Sequence, residues 1–255
     1  SNNQDLISLN GGVYTVIVSD TFGCSTTQSF TIQEPQLLSV QENLNNVSCF
    51  GGNDANIDLV ISGGTYPYTV IWNTGDTTED ISNLLSGSYV YSITDSNSCI
   101  YIDSAIILDP LAIQTSFVVN SVSCNGFSDG SILTSIMGGT PPYSFSWNTM
   151  DTTQNLFDVS SDMYYLSVFD INGCLLIDSV MVNQPDTLQA SLSSNAPNLT
   201  GSVIGGTVPY LYDFYGPNGL ILSSTNASGI GVNTNVTNMG VYSFVVTDAN
   251  NCQDS

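Results

Sequence analysis

The sequence repeats itself with a period of about 75 residues, and this period constrains the fold more than any other feature. Cys24, Cys99 and Cys174 are equally spaced, and the same step relates Cys49 to Cys124. Further pairs that keep the step are Gly63 and Gly138, Tyr68 and Tyr143, and Trp72 and Trp147. A chain that repeats a unit of this length predicts a tandem array of similar modules rather than one continuous core.

Prolines that keep the same step mark the boundaries between the units. Pro35, Pro110 and Pro185 recur without a Gly/Ser linker between one unit and the next. Proline fixes its own φ angle and favours an extended residue before it, so we expect short, semi-rigid connections and a rod-like array. The predicted domains are 1–35, the C-terminal half of a repeat; 36–110 and 111–185, complete β-sandwich repeats; and 186–255, a divergent repeat that lacks its last strand.

The fourth unit departs from the period. Gly205 follows Gly138 sooner than the period requires, whereas Cys252 follows Cys174 later than it requires. A piece has therefore been lost before the double glycine, and a longer piece has been gained after it. The Asn/Ser/Gly-rich composition of residues 223–238 predicts a loop there.

The pattern within each unit predicts an all-β fold. In the third unit, Tyr143, Phe145 and Trp147 alternate with serines, which is typical of a strand whose aromatic face points inward. Short strands separated by turn residues, with no segment of helical period, indicate antiparallel β-sandwich repeats of the immunoglobulin-like type. The strands predicted for the second unit are 37–43, 55–62, 67–73, 77–84, 88–95 and 99–108.

The charge balance excludes several classes of function. The chain has 22 acidic residues and no Lys, Arg or His, which gives a formal charge of −22. It cannot neutralise phosphates, so we expect no nucleic-acid partner and no anionic membrane surface, and no apolar run is long enough for membrane insertion. It also lacks the usual proton shuttle, zinc ligand and Schiff-base amine. A carboxylate glycosidase is the remaining enzymatic alternative, but acids that recur in every unit indicate architecture, so we predict no enzyme, no catalytic residue and no cofactor.

Several ordered motifs resemble a known repeat family. Residues 47–54 (VSCFGGND), 63–68 (GGTYPY), 72–75 (WNTG) and 94–99 (TDSNSC) resemble the SprB-type repeat of gliding-motility surface adhesins, and the third unit is similar through 122–126 (VSCNG) and 138–143 (GGTPPY). The resemblance implies long tandem arrays on the surface of Gram-negative bacteria, exported by the type IX system. The fourth unit departs from the pattern, since it lacks the first cysteine and the tryptophan. A PKD-like domain is the nearest alternative family.

Taken together, the repeat and the resemblance predict a structural stalk or filament segment of a large secreted bacterial cell-surface adhesin, giving extended reach for adhesion or gliding. The alternative is a glycan- or protein-binding module in the fourth repeat, acting through Tyr210, Tyr212 or Tyr215 and a loop at 216–238. Expected partners are neighbouring repeats of the same chain, other copies in a surface filament, and surface glycans. The expected location is extracellular, on the bacterial cell surface.

The six cysteines favour disulfides over a metal site, because the sequence has no Cys-x-x-Cys spacing and no His. One bond per complete unit would close a loop of about 50 residues and stabilise it by about 4 kcal/mol. The predicted pairs are Cys49 with Cys99 and Cys124 with Cys174. Cys24 and Cys252 have no partner within their own unit and are predicted to be unpaired within this sequence. The partner of Cys24 is expected before residue 1, and Cys252 is expected to be free or to pair elsewhere. Disulfides place the protein outside the cytoplasm.

Two further sets of recurring residues have more than one interpretation. The acids at Asp20, Asp95, Asp170 and Asp248 either bind calcium where units meet or cap turns, and capping is the favoured interpretation. Hydroxyl residues that follow an Asp resemble the O-glycosylation sequence of the bacterial phylum that carries this repeat family, although chance matches are expected in so Asp-, Ser- and Thr-rich a chain. These candidate sites are Thr77, Ser104, Thr152, Ser179 and Thr187.

Overall fold

A computed structural model describes residues 5–226 and 231–255. The chain divides into two compact units, Ser1–Pro110 and Leu111–Ser255. The described residues form strands that pair only in antiparallel fashion, and they contain no helix. The predicted all-β class with antiparallel, immunoglobulin-like sandwich repeats is confirmed.

The first unit begins with a two-stranded hairpin. Strand β1 (Gly12–Ser19) pairs with β2 (Ser25–Ile32), and Tyr14 lies opposite Phe30. Tyr14, Val16 and Val18 occupy every second position of β1, as their counterparts do in the complete units, yet almost every position of the two strands is exposed. Residues 5–35 therefore form one pair of strands without an enclosed core of its own.

Residues 36–110 form two three-stranded sheets. One sheet has the order β3 (Ser39–Asn45), β4 (Ala55–Ser62), β6 (Ile81–Leu84), and the other has the order β5 (Thr69–Trp72), β7 (Gly87–Thr94), β8 (Ile100–Ile107). Each observed strand overlaps one of the six strands predicted from the sequence. The strands form because β-branched and aromatic side chains alternate with polar ones between Gly- and Asn-rich turns.

The core of this repeat lies between the two sheets. Trp72 is 2% exposed, and its ring centroid lies 5.0 Å from that of Tyr91. The indole nitrogen of Trp72 donates to the carbonyl of Thr78 at 2.9 Å, so the buried polar atom has a partner. The Tyr91 hydroxyl donates to the Glu42 carboxylate at 2.7 Å, and burial together with this carboxylate raises the pKa of Tyr91.

The second compact unit, Leu111–Ser255, opens with a repeat, residues 111–185, that is built in the same way as residues 36–110. Every strand begins one sequence period after its counterpart in residues 36–110, so the sequence period is also the structural period. The first sheet has the order β12 (Leu156–Val159), β10 (Gly130–Met137), β9 (Gln114–Asn120), and the second has the order β11 (Ser144–Trp147), β13 (Asp162–Phe169), β14 (Leu175–Val182). Trp147 is buried, and Phe145 is partly buried against the same core.

The fourth repeat differs from this plan in its second sheet. Its first sheet has the order β15 (Gln189–Asn195), β16 (Asn198–Ile204), β19 (Val232–Asn235), and its second has the order β18 (Gly219–Asn226), β17 (Tyr210–Gly216), β20 (Ser243–Thr247), β21 (Gln253–Asp254). The prediction of a loop over residues 223–238 is wrong in part. Strands β18 and β19 occupy much of this stretch, because β18 folds back on β17 as a hairpin. Residues 227–230 of the stretch lie outside the described residues.

A double-glycine turn fixes the start of each repeat. In the third repeat, Gly139 donates its backbone N–H to the Leu111 carbonyl at 2.7 Å, and Gly138 has a φ of +72°. A Cβ at Gly138 would overlap the carbonyl oxygen of Ala112, so this turn requires glycine for both its conformation and its close approach. The turn therefore lies at the same end of the sandwich as the first residues of the repeat.

Candidate functional site: the junction between two repeats

The junction between residues 111–185 and 186–255 lies within a single compact unit, Leu111–Ser255. Two segments meet there. The first-cysteine loop, residues 122–129, connects β9 to β10 in the third repeat. The second-cysteine turn of the fourth repeat, residues 248–252, follows β20. Equivalent second-cysteine turns occupy residues 20–24, 95–99 and 170–174.

The second-cysteine turn is held by its aspartate. Asp248 Oδ1 accepts from the backbone N–H groups of Asn250 and Cys252, both at 2.9 Å, and Oδ2 accepts from Thr207 N at 2.9 Å. Asp248 is only 4% exposed, so the three donors replace the water that its charge would otherwise need. Thr207 follows the double glycine, so this turn lies at the N-terminal end of the fourth repeat. Asp95 and Asp170 accept from Thr65 N and Thr140 N in the same way.

The first-cysteine loop is held at the opposite end. Gly126 donates its N–H to Gln184 Oε1 at 2.9 Å, and the amide of Asn125 donates to the Pro185 carbonyl at 3.0 Å. Gln184 and Pro185 end the third repeat, so this loop lies at the C-terminal end of the sandwich. Asp129 Oδ1 closes the loop by accepting from Ser123 N at 2.9 Å.

The two cysteines of one repeat consequently lie at opposite ends of the sandwich. Strand β13, which leads to the second cysteine, has eight residues and is about 25 Å long at about 3.3 Å per residue. A disulfide requires Cα atoms within about 7 Å. A bond within one repeat would therefore need the sandwich to be disrupted.

The observed disulfide crosses the junction instead. Cys124 is bonded to Cys252, with Cα atoms 5.7 Å apart and a sequence separation of 128. Beside the bond, the Asn250 amide donates to the Ser123 carbonyl at 2.8 Å. The third and fourth repeats are thus joined by a covalent bond and a hydrogen bond in addition to the chain itself.

This bond corrects the pairing predicted from the sequence. The pair Cys124–Cys174 is wrong because Cys124 is bonded to Cys252, and the prediction that Cys252 is unpaired is wrong for the same reason. The pair Cys49–Cys99 is also wrong, because Cys99 is a free, exposed thiol. Cys49 and Cys174 are each disulfide-bonded, and Cys24 is a free, exposed thiol. The sequence period identifies equivalent cysteines, but it carries no information on which end of the sandwich each one occupies.

A cleft of about 270 Å³ lies beside the disulfide. The third repeat contributes Asn125 and Phe127 to it, and the fourth contributes Leu188 and Gln253. Both repeats therefore line the same space at the junction, with the disulfide at its edge.

The carboxylates of the first-cysteine loops have lowered pKa values. Hydrogen bonds from the side chain and the backbone of Ser123 lower the pKa of Asp129 below its ordinary value, and bonds from Ser48 do the same for Asp54. In the turn of Asp95, burial raises the pKa, but N–H donors from Cys99, Thr65 and Asn97 outweigh it and lower the pKa overall. The two first-cysteine loops and the turn of Asp95 consequently contain ionised carboxylates at neutral pH.

The four aspartates considered for calcium all accept backbone N–H groups within their own turns. In each turn, the aspartate Oδ1 accepts a hydrogen bond from the backbone N–H of the cysteine four residues later. The four aspartates are Asp20, Asp95, Asp170 and Asp248. This pattern is that of turn capping. The residues that the structure describes contain no group of three or more Cys, Asp or Glu side chains arranged to hold a metal ion.

The five candidate glycosylation sites are all exposed. The hydroxyl-bearing residues are Thr77, Ser104, Thr152, Ser179 and Thr187. Their modification stays a prediction.

The tyrosines considered for ligand binding in the fourth repeat lie mostly in its core. Tyr210 is 7% exposed and Tyr212 is 0% exposed, so neither can present a ring to a ligand. Tyr215 is more accessible, at 37%. A separate cleft of about 160 Å³ is lined by the β17–β18 turn, residues 235–238 and Tyr242. The period-two spacing of Tyr210 and Tyr212 already indicated an inward face.

Two features that define the junction were not predicted from the sequence, namely the bond between Cys124 and Cys252 and the contact of Asn250 with Ser123. One signal was available: Asn occupies the same place two residues before the second cysteine in Asn97, Asn172 and Asn250.

The described residues also include no helix long and apolar enough to cross a membrane.

Comparison with known proteins identifies the repeat. Residues 42–77 and 116–152 each match the SprB repeat family. The resemblance inferred from the motifs is therefore confirmed over these two regions, each of which contains a first-cysteine loop and a double-glycine turn. No curated protein matches the chain.

Among solved structures, the chain is similar to three N-terminal domains of the highly immunogenic outer capsid protein Hoc of bacteriophage RB49, with 11% identity, 83% of this chain and 91% of that chain covered, and a TM-score of 0.46. It is also similar to a tetra-tandem repeat in the extending region of a large adhesion protein, with 13% identity, coverage of 98% and 81%, and a TM-score of 0.32. A central fibronectin-III array of RIM-binding protein gives 12% identity, coverage of 87% and 93%, and a TM-score of 0.23.

Proposed function

Because residues 42–77 and 116–152 match the SprB repeat family, we propose that this chain is a structural stalk or filament segment of a large secreted bacterial cell-surface adhesin. Its role is to give reach for adhesion or gliding, and its partners are neighbouring repeats of the same long chain. No residue is assigned a catalytic role.

The covalent junction between the third and fourth repeats is the observation that carries this proposal. A disulfide between Cys124 and Cys252 transmits tension from one sandwich to the next without relying on the connecting peptide alone. It also restricts bending, because the Asn250–Ser123 hydrogen bond lies beside it. Tension and bending are the loads that a stalk experiences. Disulfides also suit a protein that functions outside the cytoplasm.

The uniform negative charge supports the same role. With 22 acidic residues and no Lys, Arg or His, neighbouring copies repel one another at neutral pH. Repulsion discourages edge strands such as β8 and β14 from pairing with the edges of other chains. On a crowded cell surface, this repulsion would keep neighbouring chains separate.

Surface labelling tests the proposed location and role. An antibody raised against the 255-residue chain should label intact cells of the bacterium that produces it, at a distance from the outer membrane in immunogold micrographs. Cells in which the segment encoding these repeats is deleted serve as the control, and they should attach or glide less well. Labelling that appears only after the cells are lysed would contradict the proposal.

Single-molecule stretching tests the mechanical part. With the disulfide intact, the pulling force passes from Cys124 to Cys252 through sulfur, so full unfolding should yield a shorter contour length than in the Cys124→Ser/Cys252→Ser variant. Equal contour lengths in the oxidised protein and the variant would show that the junction bears no load.

A second candidate function is binding of a glycan or protein by the fourth repeat. The inserted hairpin β17–β18 favours it, because this hairpin creates the cleft next to Tyr242 and has no counterpart in the second and third repeats. A glycan array probed with the oxidised chain tests this function, with Tyr242→Ala as the variant that should lose any signal. An array without hits would remove glycans as the ligand class.

A further inference from the structure

Cys99 is a free, exposed thiol in a turn that matches, bond for bond, the turn of the disulfide-bonded Cys252. Asp95 Oδ1 accepts from Asn97 N at 2.9 Å and from Cys99 N at 2.8 Å, and Oδ2 accepts from Thr65 N at 2.9 Å. Asp248 makes the same three bonds in the turn of Cys252. The backbone around Cys99 is therefore already in the conformation that receives a disulfide in the fourth repeat.

We propose that Cys99 is the attachment site for the first-cysteine loop of an SprB repeat that precedes residues 36–110. The inference deepens the proposed stalk function and rests on it. Its rule is that the first cysteine of one repeat bonds to the second cysteine of the next, as Cys124 bonds to Cys252. Cys24 occupies an equivalent turn, capped by Asp20, and follows the same rule.

A second group at the site supports recognition of the incoming loop. In the fourth repeat, the Asn250 amide donates to the Thr207 hydroxyl at 3.2 Å and to the Ser123 carbonyl, next to the bonded cysteine, at 2.8 Å. Asn97 is exposed, and its amide donates to the Thr65 hydroxyl at 2.8 Å. The remaining N–H of the Asn97 amide is placed to donate to the carbonyl of the serine that precedes an incoming cysteine.

The bond forms by oxidation of two thiols. A small-molecule disulfide such as oxidised glutathione accepts the two electrons. One cysteine thiolate attacks it, releases one glutathione thiol and forms a mixed disulfide. The thiolate of the second cysteine then attacks the protein sulfur of this mixed disulfide and releases the second glutathione thiol. Both protons lost by the cysteines end on the two glutathione thiols, so atoms and electrons balance.

A chain extended at its N-terminus tests the proposal directly. Residue 1 aligns with residue 76, so a copy of residues 36–75 placed before Ser1 completes the half-repeat and supplies a first cysteine. This copied cysteine has two competing partners: Cys24, within its own repeat, and Cys99, in the next. After refolding in reduced and oxidised glutathione, free thiols are alkylated, and the protein is digested with chymotrypsin, since the parent chain has no Lys or Arg for trypsin.

The expected result is a linked peptide that joins the copied cysteine to Cys99, with loss of most of the Cys99 alkylation seen in the parent chain. Cys24 should remain alkylated. A linked peptide that joins the copied cysteine to Cys24, or full alkylation of Cys99, would overturn the proposal.

Controls separate a wrong rule from a misfolded protein. The linked peptide of Cys124 and Cys252 in the same digest reports that the unchanged repeats are native. Serine in place of the copied cysteine should restore full alkylation of Cys99, and Asn97→Ala should slow formation of the new bond. A second extension built from residues 111–150 provides the same test if the first does not fold. Surface labelling of cells does not depend on this bond, so failure here leaves the stalk function to be judged separately.

Discussion

Replacing Tyr212 by phenylalanine should stabilise the fourth repeat, although the residue lies at the centre of its core. Tyr212 is 0% exposed, and its hydroxyl has no hydrogen-bond partner among the described residues. Burial also raises the pKa of Tyr212, so the hydroxyl is neutral at any physiological pH. The folded state therefore contains a polar group that has lost its water and gained nothing in exchange.

The size of the effect follows from the environment of the ring. A buried hydroxyl without a partner costs about 1–3 kcal/mol. Phenylalanine keeps the ring, and with it the stacking on Phe244 at a centroid distance of 5.7 Å. It also already occupies the equivalent position in the third repeat, as Phe145. We expect Tyr212→Phe to raise the free energy of unfolding of the fourth repeat by about 1–2 kcal/mol.

Hydrogen exchange measured by mass spectrometry on peptides from residues 186–255 reports this repeat alone. Amides that exchange only on unfolding should become roughly tenfold slower for each gain of about 1.4 kcal/mol. The matched control is Tyr210→Phe, two residues away on the same face. Its hydroxyl donates to the Gly205 carbonyl at 2.7 Å, so its loss should lower stability by about 0.5–1.5 kcal/mol. If both variants accelerate exchange to the same extent, the reasoning about the partnerless hydroxyl is wrong.

Three further predictions concern the junction and its supporting turns. The variant Cys124→Ser/Cys252→Ser lacks the disulfide that closes the loop between these cysteines, whose sequence separation is 128. Its free energy of unfolding should fall by up to about 5 kcal/mol if both repeats unfold together. Urea unfolding without reductant measures this loss, and an unchanged midpoint would contradict the prediction. The pKa of Asp129 is lowered from 3.8 in the folded state, so its contribution to stability is present above that value and is lost as the pH falls through the lowered one. Unfolding free energies of Asp129→Asn should therefore depend less on pH between about 5 and 2 than those of the parent, and identical profiles would refute the assignment. Gly138→Ala introduces backbone overlap at a φ of +72° and should lower the melting temperature more than Gly173→Ala, where φ is +82° but a Cβ meets nothing within 4 Å; an equal loss would show that the overlap relaxes.

The strands could be predicted from the sequence because their signals are local. Tyr143, Phe145 and Trp147 alternate with serines, and this alternation alone gives the direction of the aromatic face. Where the fourth repeat departs from the period, the same logic failed: the polar composition of residues 223–226 suggested a loop, yet β18 is held by its pairing with β17. Pairing to a neighbouring strand is a tertiary interaction, and composition does not report it.

The disulfide pairing could not be predicted from the period. Each cysteine is equivalent to others one period away, and this equivalence is the same whether bonds form within repeats or between them. The deciding information is the end of the sandwich at which each cysteine lies, and it comes from long-range hydrogen bonds. The hydrogen bond from Gly126 to Gln184 places Cys124 at the C-terminal end of the third repeat. The hydrogen bond from Thr207 to Asp248 places Cys252 at the N-terminal end of the fourth repeat, next to it.

The connection between Cys124 and Cys252 also changes what a cut in the backbone can do. A peptide bond hydrolysed anywhere between these two cysteines, including at Pro185, leaves both fragments attached through sulfur. Bonds confined to single repeats would leave each intervening segment as a point of complete severance. A chain joined in this way therefore stays connected after one proteolytic cut between Cys124 and Cys252. Separating the two fragments then requires chemical reduction of the disulfide.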